Sequence, residues 1–324
     1  MGGKHTKIIA VGAAVQDVFL SHSDEFKPVV ENPHESFLKL ELGAKADVNQ
    51  VTFSTGGGAT NAAVTFARQG IESVFMGTIG HDPAGRAVLD VLDNEGIDTS
   101  LVSFSHKFKT GYSVLLLATN GERTILTYRG ASTHYHAKDF KLYATNADWL
   151  YVSTMSGNMD ILHSLFSDAR SQGVKIMFNP GKKELTQPQK LKGLLEDVEV
   201  LCLNREEMQT LFEGADMEEL VRHATSTVPV VIVSDGPNGV VASDRKTIVR
   251  AGMYQDVRVV DRTGAGDAFG SGFLSQWSQG KSLVDSIIFA SANSTSVVNH
   301  IGAKTGILPK GTKLHHMPIH EKPF

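Results

Sequence analysis

The chain of 324 residues is 41% hydrophobic and 20% charged, which is ordinary for a globular protein that buries a large core in one α/β domain or two smaller ones. Its net charge of −4, without a run of basic residues, argues against nucleic acid binding, and no apolar stretch reaches the roughly 18 residues of a membrane span. The single cysteine, Cys202, excludes an internal disulfide and indicates a reducing compartment, so we expect a cytoplasmic protein without membrane or nucleic acid partners.

The first elements predict an α/β core. The apolar run from Lys7 to Gly12 predicts a buried strand. Asp17 follows near the carboxyl end of that strand, the edge at which open α/β sheets bind ligands. Gly56-Gly57-Gly58 opens a predicted helix, and a predicted strand from Ser73 to Gly80 and a second helix come next. This alternation predicts a parallel sheet that is covered on both faces.

Two segments interrupt the α/β pattern. Between residues 18 and 53, prolines break the chain, and the alternating run Phe37 to Leu42 is typical of an exposed strand. Between residues 110 and 130, two alternating runs flank Asn120-Gly121, a dipeptide typical of a hairpin turn. We predict that both segments form a small β-sheet lid, whose free strand edges could pair across a homodimer. The predicted catalytic core then comprises residues 1–17, 54–109 and 131–324.

Core strands resume in the second half of the chain, and two of them precede polar motifs. The predicted strands are Trp149–Ser153, Lys175–Asn179, Glu199–Leu203 and Val230–Ser234. After the third strand, Asn204 and Glu207 lie three residues apart on one helix face, where they could hold hydrated Mg²⁺ or a phosphate, or form a capping box. After the fourth strand, the turn from Ser234 to Gly239 could cradle phosphates or nucleoside, or be a simple turn.

The stretch from Val259 to Phe273 carries the strongest chemical signal. Gly264 and Gly266 allow a tight turn with unshielded N–H groups, and the helix that follows adds positive potential at its first turn. Such a helix start binds anions. Asp267 lies in the same turn, and a bound phosphate would repel it unless it has a function. We therefore predict that Asp267 accepts a proton from a hydroxyl that attacks a phosphoryl group; a tight turn with a dipole-complementing Asp is the alternative.

Two common phosphate-binding motifs are absent from the sequence. No stretch satisfies the P-loop pattern, because the nearest candidate has Ser275 where the pattern requires glycine. The dinucleotide fingerprint also fails, because Asn61 stands where the third glycine after Gly56-Gly57-Gly58 belongs. Asp82 follows the next strand, roughly where a ribose-binding acid would lie, so a nicotinamide-linked oxidoreductase stays open as an alternative.

The motifs together resemble the ribokinase-like (PfkB) family of carbohydrate and nucleoside kinases. The resemblance rests on Asp17, on Gly56-Gly57-Gly58-x-x-Asn61, on Asn204-x-x-Glu207, and on Asp261-x-Thr263-Gly264-Ala265-Gly266-Asp267, in this order along nearly the whole chain. It implies a three-layer α/β/α core with a mostly parallel central sheet and a small β-sheet lid. It also implies transfer of the γ-phosphoryl of ATP to a hydroxyl, with Mg²⁺.

The resemblance further implies a role for each matching residue. Asp267 would be the catalytic base, with an anion hole formed by Gly264, Ala265 and Gly266. Substrate hydroxyls would be held by Asp17, Gly57, Gly58 and Asn61. The nucleotide would be bound by Asn204, Glu207, Ser234, Gly236 and Gly239, with Glu207 reaching Mg²⁺ through water. The carbonyls of Asp261 and Thr263 would match those that bind K⁺ in several family members.

Departures from the family pattern leave the substrate open. Val15 stands where ribokinases have an Asn that touches ribose, and the strand end near Thr154 lacks the Glu that ribokinases use there. A sugar is the leading phosphoryl acceptor, and a nucleoside, as in an adenosine-type kinase, is the alternative. Outside kinases, a non-catalytic sugar-binding protein is a further alternative. Arg123 and Arg129 lie at the ends of a predicted lid strand. If either points inward, an acidic or phosphorylated substrate becomes attractive; otherwise they are solvated lid residues.

Overall fold

The structure is a computed structural model, and it describes residues 6–32, 35–119, 122–142, 145–252, 254, 257 and 259–324. The predicted hairpin turn at Asn120-Gly121 lies outside the described residues. The strands are β1 (Lys7–Val11), β2 (Val15–Ser21), β3 (Pro28–Asn32), β4 (Glu35–Leu38), β5 (Gln50–Gly56), β6 (Glu72–Gly80), β7 (Asp98–Ser105), β8 (Gly111–Leu117), β9 (Arg123–Tyr128), β10 (Trp149–Val152), β11 (Lys175–Phe178), β12 (Val200–Asn204), β13 (Val230–Ser234), β14 (Val240–Ser243), β15 (Thr247–Ala251) and β16 (Ile319–Pro323). The α-helices are α1 (Gly58–Arg68), α2 (Pro83–Asn94), α3 (Met159–Ser171), α4 (Lys182–Leu185), α5 (Pro188–Leu194), α6 (Arg205–Gln209), α7 (Met217–Ala224), α8 (Ala265–Trp277) and α9 (Leu283–Val298).

The main sheet is mostly parallel. Its spatial order is β16-β15-β14-β13-β12-β11-β10-β1-β6-β7, and the strands from β13 to β7 pair in parallel. The other edge, from β13 to β16, is antiparallel. Parallel strands between two helical layers must be apolar on both sides, and β1 is buried from Ile8 to Val11. The predicted mostly parallel sheet is confirmed.

Helices cover both faces of this sheet, because side chains alternate along each strand. In β1, Ile8 and Ala10 pack into a cluster that also holds side chains from α1, α2, α8 and α9. Ile9 and Val11 pack into the opposite cluster, with side chains from α3, α5, α6 and α7. The three-layer α/β/α architecture is therefore confirmed. None of the described helices is both long enough and apolar enough to span a bilayer.

A second, smaller sheet joins the two segments that interrupt the core in sequence. Its order is β5-β2-β8-β9, with β2 and β8 parallel and the other pairs antiparallel, and β3 and β4 form a separate hairpin. The predicted small lid sheet is thus present. Its strand β2 begins at Val15 and contains Asp17, so this strand starts ahead of the predicted boundary at residue 18. The division of the chain into core and lid stays a prediction.

Candidate active site

The start of α8 is shaped by Gly264. This residue caps the helix with a φ of +78°, in the left-handed region that glycine tolerates. A Cβ on Gly264 would overlap the Cβ of Ala303 and lie 2.9 Å from its Cα, so a side chain would push the turn away from its neighbour. Asp267 is the acidic residue of the first turn of α8, as predicted. The Ala265 N–H, one of the predicted anion-hole donors, donates a long bond of 3.3 Å to the carbonyl of Arg262.

The Asp267 carboxylate lies between two glycine motifs that are far apart in sequence. Its Oδ2 accepts a hydrogen bond of 2.8 Å from Nδ2 of Asn61 in α1. A Cβ on Gly58 would lie 2.9 Å from Oδ1 of Asp267, so this glycine leaves room for the carboxylate. Burial raises the pKa of Asp267, while the bond from Asn61 and the charge of Lys304 act in the opposite direction. A raised pKa makes a carboxylate a stronger proton acceptor.

Asp17 is a buried carboxylate on the lid strand β2, which begins at Val15, soon after β1 ends. Its side chain is only 6% exposed, and its Oδ2 occupies the space that a Cβ on Gly56 would need. Burial raises the pKa of Asp17 to about 6, although the charge of Lys304 and a bond with Ser113 lower it. Asp17 is therefore brought to the amino end of α1, beside the predicted substrate motif.

Gly57 fixes how the chain enters α1. It is the N-cap of the helix with a φ of +99°, and a Cβ there would overlap the carbonyl oxygen of Ala13. The Asn61 N–H donates to the Gly57 carbonyl at 3.0 Å, which closes the first turn. The predicted substrate residues Asp17, Gly57, Gly58 and Asn61 thus lie around the start of one helix, and Asp267 lies against it.

Lys304 is the central residue that sequence reasoning missed. It follows α9 in a loop and is 6% exposed. Its Nζ donates to the carbonyl of Thr55 at 2.7 Å, to Oγ1 of Thr60 at 2.9 Å and to Oδ1 of Asn61 at 2.8 Å. Burial lowers the pKa of Lys304 to about 7, against the charges of Asp17 and Asp267. A lone lysine in a loop matches no motif, so no sequence signal marks it.

The predicted nucleotide turn and the anion hole line one cavity of about 250 Å³. The residues Ser234, Gly236 and Gly239 form one side of it, and Ala265 and Gly266 form another. Gly236 and Gly239 have φ values of +48° and +89°, which explains the two glycines in this turn. Ser291 of α9 also lines the cavity, and its buried hydroxyl has no hydrogen-bond partner among the residues that the structure describes.

Asn204 and Glu207 form a capping box at the start of α6. Oδ1 of Asn204 accepts from the Glu207 N–H at 2.8 Å, and Oε2 of Glu207 accepts from the Asn204 N–H at 3.1 Å. Neither residue lines the nucleotide cavity, but Asn204 pairs in register with Ser234, which does. Burial raises the pKa of Glu207. The capping alternative is therefore present, and the Mg²⁺ role of Glu207 stays a prediction.

Asp261 connects the start of the α8 motif to the lid. Its Oδ1 accepts from the Thr263 N–H at 3.0 Å and from the Thr263 hydroxyl at 2.7 Å, and its Oδ2 accepts from the Gly302 N–H at 3.1 Å. Nε of Arg123, on β9, lies 3.7 Å from Oδ1 of Asp261. Arg123 therefore points inward from the lid, whereas Arg129 is exposed. The predicted K⁺ ligands are the backbone carbonyls of Asp261 and Thr263. The hydrogen bonds above involve the Asp261 side chain, so K⁺ binding by the carbonyls stays a prediction.

A carboxylate reaches the strand end near Thr154 from another part of the chain. Oε2 of Glu184, in α4, accepts from the Thr154 hydroxyl at 3.0 Å. Its Oε1 accepts from the N–H groups of Met155 and Gly157 at 2.8 and 2.7 Å. Glu184 is fully buried, and its carboxylate accepts hydrogen bonds from the backbone. It therefore has a structural role here and does not replace a substrate-binding glutamate.

Three other cavities in the described part of the chain are lined by none of the predicted site residues. A cavity of about 580 Å³ lies between α9 and the segment from Leu308 to Pro318, and it shares only Thr295 with the nucleotide cavity. Within the described ranges, no cluster of three or more His, Cys, Asp or Glu side chains is arranged to hold a metal ion. The convergence of Asp17, Asn61 and Asp267 near the nucleotide cavity therefore defines the candidate site.

Comparison with known proteins places this chain among kinases. A sequence model described as pfkB family carbohydrate kinase matches residues 24–310. A ribokinase from Haemophilus influenzae is 26% identical over 264 residues, which cover 78% of this chain and 83% of that protein. A fructokinase from Vibrio alginolyticus is 29% identical over 280 residues, which cover 80% of this chain and 90% of that protein.

The fold is shared with solved structures of kinases. The structure of an Arabidopsis thaliana ribokinase complexed with ribose and ATP superposes with a TM-score of 0.75 at 21% identity, covering 94% of this chain and 96% of that one. At this identity the similarity shows the fold, and the family match adds the class of reaction, phosphoryl transfer to a hydroxyl. The chain belongs to the pfkB family of carbohydrate kinases.

Proposed function

We propose that this protein transfers the γ-phosphoryl group of ATP to a hydroxyl of a sugar, with Asp267 as the general base. One observation carries the proposal. Asp267 lies in the first turn of α8, between Asn61 of the predicted substrate motif and the cavity lined by Ala265 and Gly266. A proton acceptor and a group of helix-start N–H donors are therefore adjacent, as transfer from a hydroxyl to a phosphate requires.

The proposed reaction begins with the acceptor hydroxyl beside the Asp267 carboxylate. Asp267 takes the proton as the hydroxyl oxygen attacks the γ-phosphorus and the bond to the β-phosphate oxygen breaks. The N–H groups at the start of α8 receive the negative charge that spreads over the transferring group. General base catalysis contributes a factor of ~10²–10⁴. The raised pKa of Asp267 supports this role, because its proton affinity exceeds that of an exposed aspartate.

Nucleotide binding is proposed for the cavity formed by Ser234, Gly236, Gly239, Ala265 and Gly266. Glycines at these positions let backbone N–H groups approach phosphates closely. Mg²⁺, when bound with ATP, offsets charge on the phosphate oxygens. Asn204 and Glu207, at the start of α6 next to β13, are the residues that would hold the ion and its phosphates, with Glu207 acting through water. The Ser291 hydroxyl, which has no hydrogen-bond partner within the described ranges, gives the cavity a polar group for the nucleoside.

Substrate binding is proposed for Asp17, Gly57, Gly58 and Asn61. A carboxylate and an amide can each bind sugar hydroxyls, and the two glycines let an acceptor approach Asp267. The names of the two relatives, ribokinase and fructokinase, favour a sugar. The nicotinamide alternative loses its support, because the family is one of kinases.

Two further features belong to the proposal. The carbonyls of Asp261 and Thr263 are the proposed ligands of a K⁺ ion beside the anion hole. The lid sheet is the proposed contact of a homodimer, supported by exposed apolar side chains such as Phe53 and Leu126, which are 69% and 58% exposed. Dependence of the rate on K⁺ and the mass in sedimentation test these two points separately.

A phosphorylation screen tests the main proposal. Purified protein is incubated with ATP and Mg²⁺ and with sugars, sugar phosphates or nucleosides, and the product is identified by mass spectrometry. We expect transfer to at least one free sugar, and the Asp267→Asn variant should lose it. Preferential transfer to a nucleoside would replace the sugar assignment. No transfer to any acceptor, or equal transfer by the variant, would overturn the proposal.

A further inference from the structure

We propose that Lys304 is a positioning residue, which fixes the orientation of the Asn61 carboxamide and places a buried positive charge beside the carboxylates of the site. The inference rests on the proposed function, because it assigns Asp267 as the base that Asn61 holds. Lys304 is not among the residues that line the nucleotide cavity, and within the described part of the chain its Nζ donates to Thr55, Thr60 and Asn61 and not to the Asp267 carboxylate. Its effect therefore passes through Asn61 and through its charge.

The orientation of Asn61 is decided by the two groups on either side of its amide. Nδ2 donates to Oδ2 of Asp267 at 2.8 Å, and Oδ1 accepts from Nζ of Lys304 at 2.8 Å. An ammonium group can only donate hydrogen bonds, so it is compatible only with the amide orientation in which Oδ1 of Asn61 faces it. In the other state Oδ1 would face a carboxylate oxygen and Nδ2 would face the ammonium, and both contacts would be repulsive. Lys304 thereby keeps the donor of Asn61 on the base.

The ammonium group of Lys304 is itself held in place. Its three bonds reach Thr55 in β5, and Thr60 and Asn61 in α1, so each N–H has an acceptor. Nη1 of Arg68, from the end of α1, donates to the Lys304 carbonyl at 2.9 Å and fixes the loop backbone. The lysine therefore joins the lid strand β5 to the start of α1, and its charged form is the one that satisfies all three acceptors.

The charges around the site make Lys304 a counterion. Asp17 from β2 and Asp267 from α8 face it, and so do Glu95 and Arg68 from the helix ends. Arg68 and Glu95 form an ion pair at 2.6 Å and offset each other. Tyr151 from β10 faces Asp267, and burial keeps its pKa well above the usual value, so it stays neutral. Removing Lys304 thus leaves Asp17 and Asp267 without their shared positive neighbour.

Two substitutions separate orientation from charge. Lys304→Met removes both, and we expect kcat to fall at least ~10-fold and the acidic limb of the kcat–pH profile to move up by roughly one pH unit, because the ionised base loses its counterion. Lys304→Gln keeps an amide donor for Asn61 but no charge. It should retain more of the rate and still show the shifted acidic limb. Lys310→Met, an exposed lysine of the same loop, is the matched control and should behave as wild type.

A double-mutant cycle with Asn61→Ala completes the test. If Lys304 acts through Asn61, Lys304→Met should lower kcat less in the Asn61→Ala background than in the wild type, because the bond to Asn61 is already lost there. If Lys304→Met does not fold, judged by circular dichroism, the rate and the pH profile of Lys304→Gln decide. A wild-type pH profile and rate in Lys304→Gln, or additive losses in the cycle, would overturn the inference. An inactive wild-type protein would instead overturn the proposed function.

Discussion

Nδ2 of Asn61 donates a hydrogen bond of 2.8 Å to Oδ2 of Asp267, across a separation of 206 residues. The bond joins the glycine motif at the start of α1 to the glycine motif at the start of α8. A carboxylate that accepts this bond has one oxygen fixed, and its other oxygen, Oδ1, lies beside Gly58. We expect the acceptor hydroxyl to approach Oδ1 across this glycine.

Removal of the proposed base should separate catalysis from nucleotide binding. In Asp267→Asn, kcat should fall at least ~10²-fold, because the amide cannot take a proton. The stabilisation of the protein by ATP and Mg²⁺ in a thermal-shift assay should stay nearly unchanged. Asp285→Asn is the matched control, since Asp285 also lies in the first turn of a helix, α9. Near-normal turnover in Asp267→Asn would contradict the assignment.

A methyl group at Gly58 should displace the Asp267 carboxylate while leaving the residue itself unchanged. In Gly58→Ala the new Cβ would overlap Oγ of Ser153 and lie 2.9 Å from Oδ1 of Asp267. Overpacking of this kind costs about 1–3 kcal/mol of unfolding free energy, and kcat should fall more than ~10-fold because the carboxylate is displaced. Urea unfolding and steady-state kinetics measure both effects. Gly193→Ala in α5 is the control: no atom of the described residues lies within 4 Å of the new Cβ, so this substitution should be neutral or stabilising. Unchanged kcat in Gly58→Ala would show that this glycine does not shape the site.

Asp17→Asn should stabilise the protein and weaken substrate binding. The folded pKa of Asp17 is raised from 3.8 to about 6, so the folded state binds a proton more tightly than the unfolded state. As pH rises from 3.8 towards 6, ionisation of Asp17 therefore lowers the free energy of unfolding. Above pH 6 the full loss is about 3 kcal/mol. An asparagine avoids this cost, so the melting temperature of the variant should exceed that of wild type at pH 7.5 and match it near pH 4. The KM for the acceptor should rise.

The exposed Asp24 serves as the control for this comparison, because it lies on the same lid segment and its side chain is 95% exposed. Asp24→Asn should change neither the pH dependence of the melting temperature nor the KM. If Asp17→Asn gave the same stability difference from wild type at both pH values, the buried carboxylate would not be the cause.

Glu207→Gln distinguishes the capping role of Glu207 from its proposed Mg²⁺ role. Glutamine also satisfies a capping box, so the free energy of unfolding should change by less than ~1 kcal/mol. Loss of the negative charge should raise the KM for Mg²⁺–ATP if Glu207 reaches the ion through water. Glu206→Gln, its exposed neighbour, is the control. An unchanged KM at limiting Mg²⁺ would leave Glu207 with the capping role alone.

Local sequence patterns predicted much of the core. Apolar runs marked β1, β6 and β10 to β13 within one or two residues, because a buried parallel strand must be apolar on both faces. Glycine patterns marked the starts of α1 and α8, since left-handed φ values at Gly57 and Gly264 are accessible to few other residues. Strand β7 at one edge of the main sheet and the antiparallel strands β14 to β16 on the other side were missed. In β7 and β16 the exposed side chains break the apolar pattern, and in β15 the exposed Arg250 interrupts it.

The sequence by itself therefore determined the fold class, the family and the position of Asp267, because these depend on short-range periodicity and on conformations that only certain residues adopt. The tertiary structure decided which groups surround that carboxylate. Lys304 meets Asn61 across 243 residues, and Arg123 reaches Asp261 from the lid. Burial and hydrogen-bond partners at such separations depend on how the layers pack, and no local pattern carries that information.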